Sequence, residues 1–296
     1  MQSTGYLGWF NRRVHVVFFL LLIASVHGAD GQATIPVRFA PEKDYGPFVY
    51  VDEKNEVRGL SIDILNAISM SAGLKIETLP ARSLSEILDM AKKGEVDLIS
   101  SLRPTPERAS FLDFSSPYVS VPAVLLTRAD KKRGTTLSDL EGQTIAVGKG
   151  YAVEGFVRNR HPKIQWIAVP DDGAGIEALL AGRVAGVVAD IASASFVIRE
   201  KKANGLMVQS PIGFEYALSF GYSKQRPDIG IALEKGIRNF SNQDRTTTLS
   251  KWIDASETTA KDSVRVAIEN IALGALGASI LLLAAFAIRR KLSKSE

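Results

Sequence analysis

Two periodicities alternate along the middle of the chain. Leu60, Ile64, Leu65, Ile68 and Ala72 recur at helical spacing, and the stripe stops at Gly73. A second helix is expected over "SLSEILDMAKKG", where Ser83 and Glu86 have the spacing of a capping box and Gly94 ends the run. Between these lie short β-rich runs, "IPVRFA", "LKIETL" and "VDLISS". The stretch from Gly142 to Asp190 then repeats the scheme as strand, helix, strand, helix, strand. Such alternation predicts parallel sheets covered by helices on both faces, and two successive sets predict two α/β lobes. The polar, turn-rich "RADKKRGTTLSDLEG" reads as a solvated connection into the second lobe.

The ends of the chain follow a different pattern. Arg12 and Arg13 precede an apolar run, Val14 to Val26, and then small residues. That run is shorter than the roughly 20 residues a spanning helix needs, so it reads as a secretory signal over 1–28, with cleavage as late as Ala33. At the other end Ile271 to Ile288 is long enough to span, and Arg289, Arg290, Lys291 and Lys294 follow at once. A transmembrane helix over 264–288 and a cytoplasmic tail over 289–296 are therefore expected, which puts the middle of the chain in the periplasm. Gly274 and Ala278 have a spacing that lets two such helices pack, so a homodimer is left open.

Charge and composition narrow the function. The full chain carries 36 Lys+Arg against 32 Asp+Glu, but residues 30–262 hold 29 against 30, a net of −1. The basic excess thus belongs to the ends, and no nucleic-acid footprint is present. With no cysteine, the exported domain folds without disulfides and offers no thiolate to a metal. His15 and His27 fall in the signal, which leaves His161 alone, beside Pro162. A serine triad, a cysteine nucleophile or a multi-histidine metal site would need residues the domain largely lacks. No cofactor or metal is expected. "GKG" lacks the Lys-Ser/Thr that completes a phosphate loop.

In open α/β sheets ligands bind beyond the carboxyl ends of the strands. "IPVRFA" is followed by Tyr45; "VDLISS" by Arg103 and Arg108; "TIAVG" by Gly150 at a helix start; "VAGVV" by Asp190. Two prolines, Pro104 and Pro106, stiffen the loop that presents Arg108. An arginine, a helix N-terminus, an aromatic ring and a carboxylate suit a zwitterion. Each residue also has a plainer reading. Arg108 could be a surface partner of Glu107 or Asp113, Asp190 a helix cap, Tyr45 core packing, and Arg103 a solvated residue or an interlobe ion pair.

The motifs "YGPF", "GLSIDIL", "GEVDLISS", "PTPERASFLDFSSPY", "LSDLEGQTIAV", "LLAGRVAGVVAD" and "KWI" resemble, in this order, the family 3 extracellular solute-binding proteins. The resemblance covers roughly Ile35 to Ile253 and is similar also to the membrane-receptor subset of these domains. It implies a two-lobe periplasmic-binding-protein-like (type II) fold with two crossovers, lobe 1 over 34–126 plus 217–263 and lobe 2 over 127–216. It further implies that Arg108 clamps a ligand α-carboxylate, Asp190 receives the α-ammonium, Tyr45 forms a wall and the Ser101 backbone faces the ammonium. Departures from the family pattern are Arg103 in place of a hydroxyl, Ala152 after Tyr151, and Leu84 at a wall position. The second arginine suggests extra negative charge on the ligand, such as a dicarboxylate.

The function these features imply is a membrane-anchored sensory receptor for an amino acid or related carboxylate. A tethered component of an ABC transporter is the alternative, followed by a dehydratase-like enzyme. A domain closed without any ligand is a further class. A channel of the same fold is excluded, because runs such as "VSVPAVLLT" are too short to span.

Overall fold

The structure, a computed structural model, describes residues 34–253. The expected signal, the transmembrane helix, the tail and the last ten residues assigned to lobe 1 lie outside this range. Among the described residues no helix is long and apolar enough to cross a membrane.

The chain opens with β1 (Ile35–Phe39), followed by a small antiparallel sheet of β2 (Asp44–Tyr45), β3 (Val49–Val51) and β4 (Val57–Arg58). Helix α1 (Leu60–Ala72) begins after Gly59, whose φ of 134° only glycine holds comfortably. The helix ends at Gly73 in the left-handed conformation, with the Gly73 amide bonded to the Met70 carbonyl. It leads into β5 (Leu74–Thr78), and then α2 (Leu84–Lys92) starts at the expected capping box. There the Glu86 carboxylate accepts from the Ser83 amide at 3.0 Å and from its hydroxyl at 2.6 Å. Strands β6 (Leu98–Leu102), β7 (Leu112–Phe114) and β8 (Val119–Arg128) follow.

The second set is β9 (Thr144–Gly148), α3 (Ala152–Arg160), β10 (Gln165–Val169), α4 (Asp172–Leu180), β11 (Gly186–Asp190) and α5 (Ile191–Glu200). The chain returns through the long β12 (Leu206–Ser223) to α6 (Pro227–Asn239) and α7 (Asn242–Trp252). Helix α7 is tied to α1: Lys251 Nζ and Trp252 Nε1 both donate to Asp63, each at 2.7 Å.

The main sheet runs β10-β9-β11-β8-β12-β6-β1-β5, with β7 against β12. Within each half the strands of the βα units are parallel: β1 with β5 and β6, and β9 with β10 and β11. The two halves are joined by the antiparallel pair β8 and β12. These two strands are the crossovers, and the expected changes of lobe at 126/127 and 216/217 fall inside them. In the first lobe the core is built from Val37, Phe39, Ile64, Ile68, Ile87 and Leu98; in the second, from Ile145, Val147, Val157, Leu179 and Val188. Sheet strands buried on both faces read as continuous apolar runs, as "IAV" and "GVVA" do here. Residues that follow β1, β6 and β9 line one cavity together with Tyr216 and Leu218 of the crossover β12, and the site lies there.

Candidate ligand-binding site

Glu42, Tyr45, Leu84, Ser101, Arg103, Arg108, Tyr151, Ala152, Tyr216 and Leu218 enclose a cavity of about 10 Å³ between the lobes. That is room for about one water molecule and not for an amino acid, so the lobes are closed on each other. Seven of the residues expected from sequence line this space; Gly150 and Asp190 stand beside it.

Arg108 starts a short 3-10 turn, and its amide donates to Thr105 Oγ1 at 3.2 Å, so the proline-stiffened loop sets its direction. Arg108 is 5% exposed, and its guanidinium donates to the Arg103 carbonyl at 2.8 Å in its own lobe and to the Gly150 carbonyl at 2.9 Å in the other. The surface reading fails: Glu107 faces Lys92 instead, and Asp113 faces Lys224. Burial lowers the pKa of Arg108, opposed first by the charge of Glu42. No carboxylate lies within ion-pair distance of Arg108 among the described residues.

The free amides of the helix that Gly150 leads into were expected to favour an anion. The Gly150 amide itself donates to Glu154, in the first turn of α3, at 2.8 Å. The Gly150 carbonyl is what faces Arg108. The adjoining Tyr151 fills the cleft and donates from its hydroxyl to Glu42 Oε1 at 3.0 Å, a buried hydrogen bond across the lobes. Burial is the main force that pushes Glu42 up to about 8, against the Tyr151 hydrogen bond and the Arg108 charge. Tyr45 packs against Tyr151, with ring centroids 5.5 Å apart, and against Phe48 at 5.0 Å, so it is a wall. Leu84 and Ala152 add apolar surface.

Ser101 has a φ of 60°, a strained conformation for a non-glycine residue. Its amide donates to the Tyr118 hydroxyl at 2.8 Å, and its own hydroxyl bonds Ser61 Oγ at 2.8 Å. Its amide is therefore committed within lobe 1. Arg103 makes neither a solvated tip nor an interlobe ion pair; its guanidinium lies over the Phe214 ring, 4.3 Å from the centroid.

Asp190 is a helix cap, as the plainer reading had it: one oxygen accepts the Ser193 amide at 2.8 Å. The other has no hydrogen-bond partner, although the side chain is fully buried. Burial pushes Asp190 up to about 6, opposed by the Ser193 amide and then by the Tyr45 hydroxyl. The Tyr45 oxygen lies close enough to act on that charge without full hydrogen-bond geometry. Asp172, at the start of α4, is 1% exposed and lies near enough to couple with Asp190; burial, then the Asp190 charge, push it well above the carboxylate range. Three buried acids, Glu42, Asp172 and Asp190, thus share the cleft with one buried arginine. Of the acids Glu42 lines the cavity, while Asp172 and Asp190 are buried outside its lining; Arg103, the second arginine, lines it and stacks on Phe214.

Glu42, Asp172, Tyr216 and Leu218 were not singled out from sequence. Glu42 follows β1 and Asp172 follows β10, so the strand-end rule reaches both when applied to every strand. Tyr216 and Leu218 sit in the crossover β12, for which no positional rule exists. Among the described residues no group of His, Asp and Glu is arranged to hold a metal ion.

Relatives carry the same organisation. The virulence sensor protein BvgS of Bordetella pertussis is 24% identical over 209 residues, covering 70% of this chain but only 17% of the sensor's length. ABC transporter arginine-binding protein 1 of Escherichia coli is 24% identical over 221 residues, 74% of this chain and 89% of that protein. Among solved structures, a histidine kinase sensor domain with similarity to periplasmic binding proteins superposes with a TM-score of 0.70 at 19% identity, over 75% of this chain and 97% of that one. The periplasmic VFT2 domain of BvgS superposes with a TM-score of 0.67 at 23% identity, over 73% and 93%. The model of the bacterial extracellular solute-binding proteins, family 3, matches residues 37–263, and with the two lobes and the cleft in place the chain belongs to that family.

Proposed function

We propose that this domain is a closing receptor in the periplasm for a small polar ligand, an amino acid or related carboxylate. The observation that carries the reading is Arg108. A buried guanidinium without an acidic partner is costly, and it persists here where the two lobes meet. A ligand carboxylate that displaced the Gly150 carbonyl would receive the same donors in bidentate form. The ligand would stabilise closure by its differential affinity for the closed state. The names of the arginine-binding relatives support an amino-acid ligand, and a binding role rather than catalysis fits both groups of relatives.

The apolar run Ile271–Ile288, with its basic flank, supports a single-pass inner-membrane anchor beyond α7. Because α7 is pinned to α1 through Asp63, a change in lobe 1 is passed directly to the chain that follows. We take sensing as the role, supported by the likeness to BvgS and to the kinase sensor domain. Delivery to an ABC transporter is favoured instead by the near full-length match to the Escherichia coli binding protein. Permease and ATPase genes beside the coding region would decide for delivery.

The test is isothermal titration of the full chain in detergent with the common amino acids and their carboxylate analogues. Saturable binding that is lost in R108A is expected. No heat and no thermal stabilisation with any of them would overturn the reading in favour of a domain closed by its own side chains.

A further inference from the structure

Away from the cavity the lobes meet again through three half-buried aromatic rings. Phe196 of α5 belongs to lobe 2, while Tyr50 of β3 and Trp252 of α7 belong to lobe 1. The Phe196 and Tyr50 ring centroids are 4.9 Å apart with planes at 56°, and those of Tyr50 and Trp252 are 6.2 Å apart with planes at 79°. Both pairs fall in the range where tilted and edge-on rings attract. None of the three rings lines the ligand cavity.

The Phe196 ring has a seat on lobe 1. A methyl at Gly46 would lie 2.2 Å from it, and the Gly46 backbone is outside the left-handed region. What the missing side chain makes room for is therefore the ring. Trp252 is held at the other end of the series. It is the last residue of α7, and its indole N–H donates to Asp63 at 2.7 Å, beside Lys251 on the same carboxylate. Tyr50 thus touches lobe 2 through one partner and the end of α7 through the other.

We propose that Phe196, Tyr50 and Trp252 form a closure relay. When the lobes close, the Phe196 ring seats on Gly46 and Tyr50, holds Tyr50 against Trp252 and so steadies the last turn of α7; opening withdraws that support. Opening turns lobe 2 about the crossovers β8 and β12, which carries a lobe 2 ring off its lobe 1 seat. The bonds from Lys251 and Trp252 to Asp63 lie wholly within lobe 1 and survive. They hold α7 in both states, whereas the ring contact differs between them and supplies the two-state element that coupling requires. Because one aromatic pair is a modest interaction, the last turn should change its local opening by roughly three- to tenfold, with the helix as a whole kept. The relay rests on the closing-receptor reading above and adds the route by which closure reaches the end of α7.

The test is hydrogen exchange of the α7 amides in the full chain in detergent, read beside the interlobe distance between labels at K93C in lobe 1 and R160C in lobe 2. In F196A the amides of the last turn, 249–252, should exchange roughly three- to tenfold faster, with those of the first turn unchanged. Should F196A fail to fold, F196L keeps the apolar bulk without the ring and should quicken the same amides by about threefold. Y151F acts from the cavity, where Tyr151 bonds Glu42, and should quicken them as far as it lengthens the interlobe distance. Wild-type exchange in the last turn of F196A and F196L overturns the relay, as does a longer distance in Y151F without faster exchange. Uniform quickening along all of α7 also overturns it, because that is general loosening of lobe 1. Calorimetric titration of the wild-type chain with amino acids decides the receptor reading separately: no binding there, with the last turn still answering to F196A and Y151F, leaves the relay standing and removes the receptor.

Discussion

Arg108 shows how a single residue is given its role by its surroundings. Its charge is fixed by chemistry, and its exclusion from water is fixed by the contact of the two lobes. Lysine would retain the charge but lose the planar fork that reaches two carbonyls at once. For R108K we expect ligand affinity to fall by roughly tenfold or more in calorimetric titration, in keeping with the loss of one charge-assisted hydrogen bond. Tyr151 has a complementary part. The Y151F substitution removes the donor to Glu42 and leaves a buried carboxyl oxygen without it. The expected result is a shift of the unliganded domain towards the open form. The chain has no cysteine, so labels at K93C in lobe 1 and R160C in lobe 2 would report that shift as a longer interlobe distance.

At the scale of elements, the α1 entrance and the β2–β3 turn are constrained for different reasons. A methyl on Gly59 would lie 2.2 Å from the Phe48 carbonyl, in a backbone conformation with φ of 134°. G59A should therefore destabilise the fold by about 2 kcal/mol or more, visible as a lower midpoint in urea. Gly46 faces the other lobe. A methyl there would meet the Phe196 ring of α5 at 2.2 Å, beside the Tyr50–Phe196 contact at 4.9 Å. G46A should leave each lobe folded but hold them apart, so the predicted effect is a longer interlobe distance with little change in unfolding midpoint. A large loss of stability without a change in that distance would mean that Gly46 serves the local turn instead.

For the whole molecule, closure is tied to pH through Glu42. Burial pushes its carboxyl from 4.5 up to about 8 in the closed cleft. A raised carboxyl favours the closed state fully below its ordinary value, and that contribution is lost as pH rises through the closed-state value. Closure should thus weaken between about pH 4.5 and about pH 8, by up to roughly 1.4 kcal/mol per pH unit. Asp190, pushed up to about 6, adds to the lower part of that range. The interlobe distance measured across this range should lengthen with rising pH, and in E42Q the upper part of the change should vanish.

Much of this architecture is legible in linear order. The stripe ending at Gly73, the Ser83–Glu86 box and the alternation of apolar strands with amphipathic helices are local properties, because helix and strand periods and caps involve residues a few positions apart. The strand-end rule adds Tyr45, Arg103 and Arg108, which line one cleft, and Gly150 and Asp190, which do not, while Tyr151 entered only with the family resemblance. What they leave open is which partner each polar group meets. The amide of Gly150 went to Glu154, its carbonyl to Arg108 and the hydroxyl of Tyr151 to Glu42, 109 positions away in the chain. Hydrogen bonds and burial between distant segments depend on how the lobes close. Sequence alone determined the lobes and the wall; the tertiary structure decided the charge of the interior, because desolvation acts only on groups that the fold has already brought together.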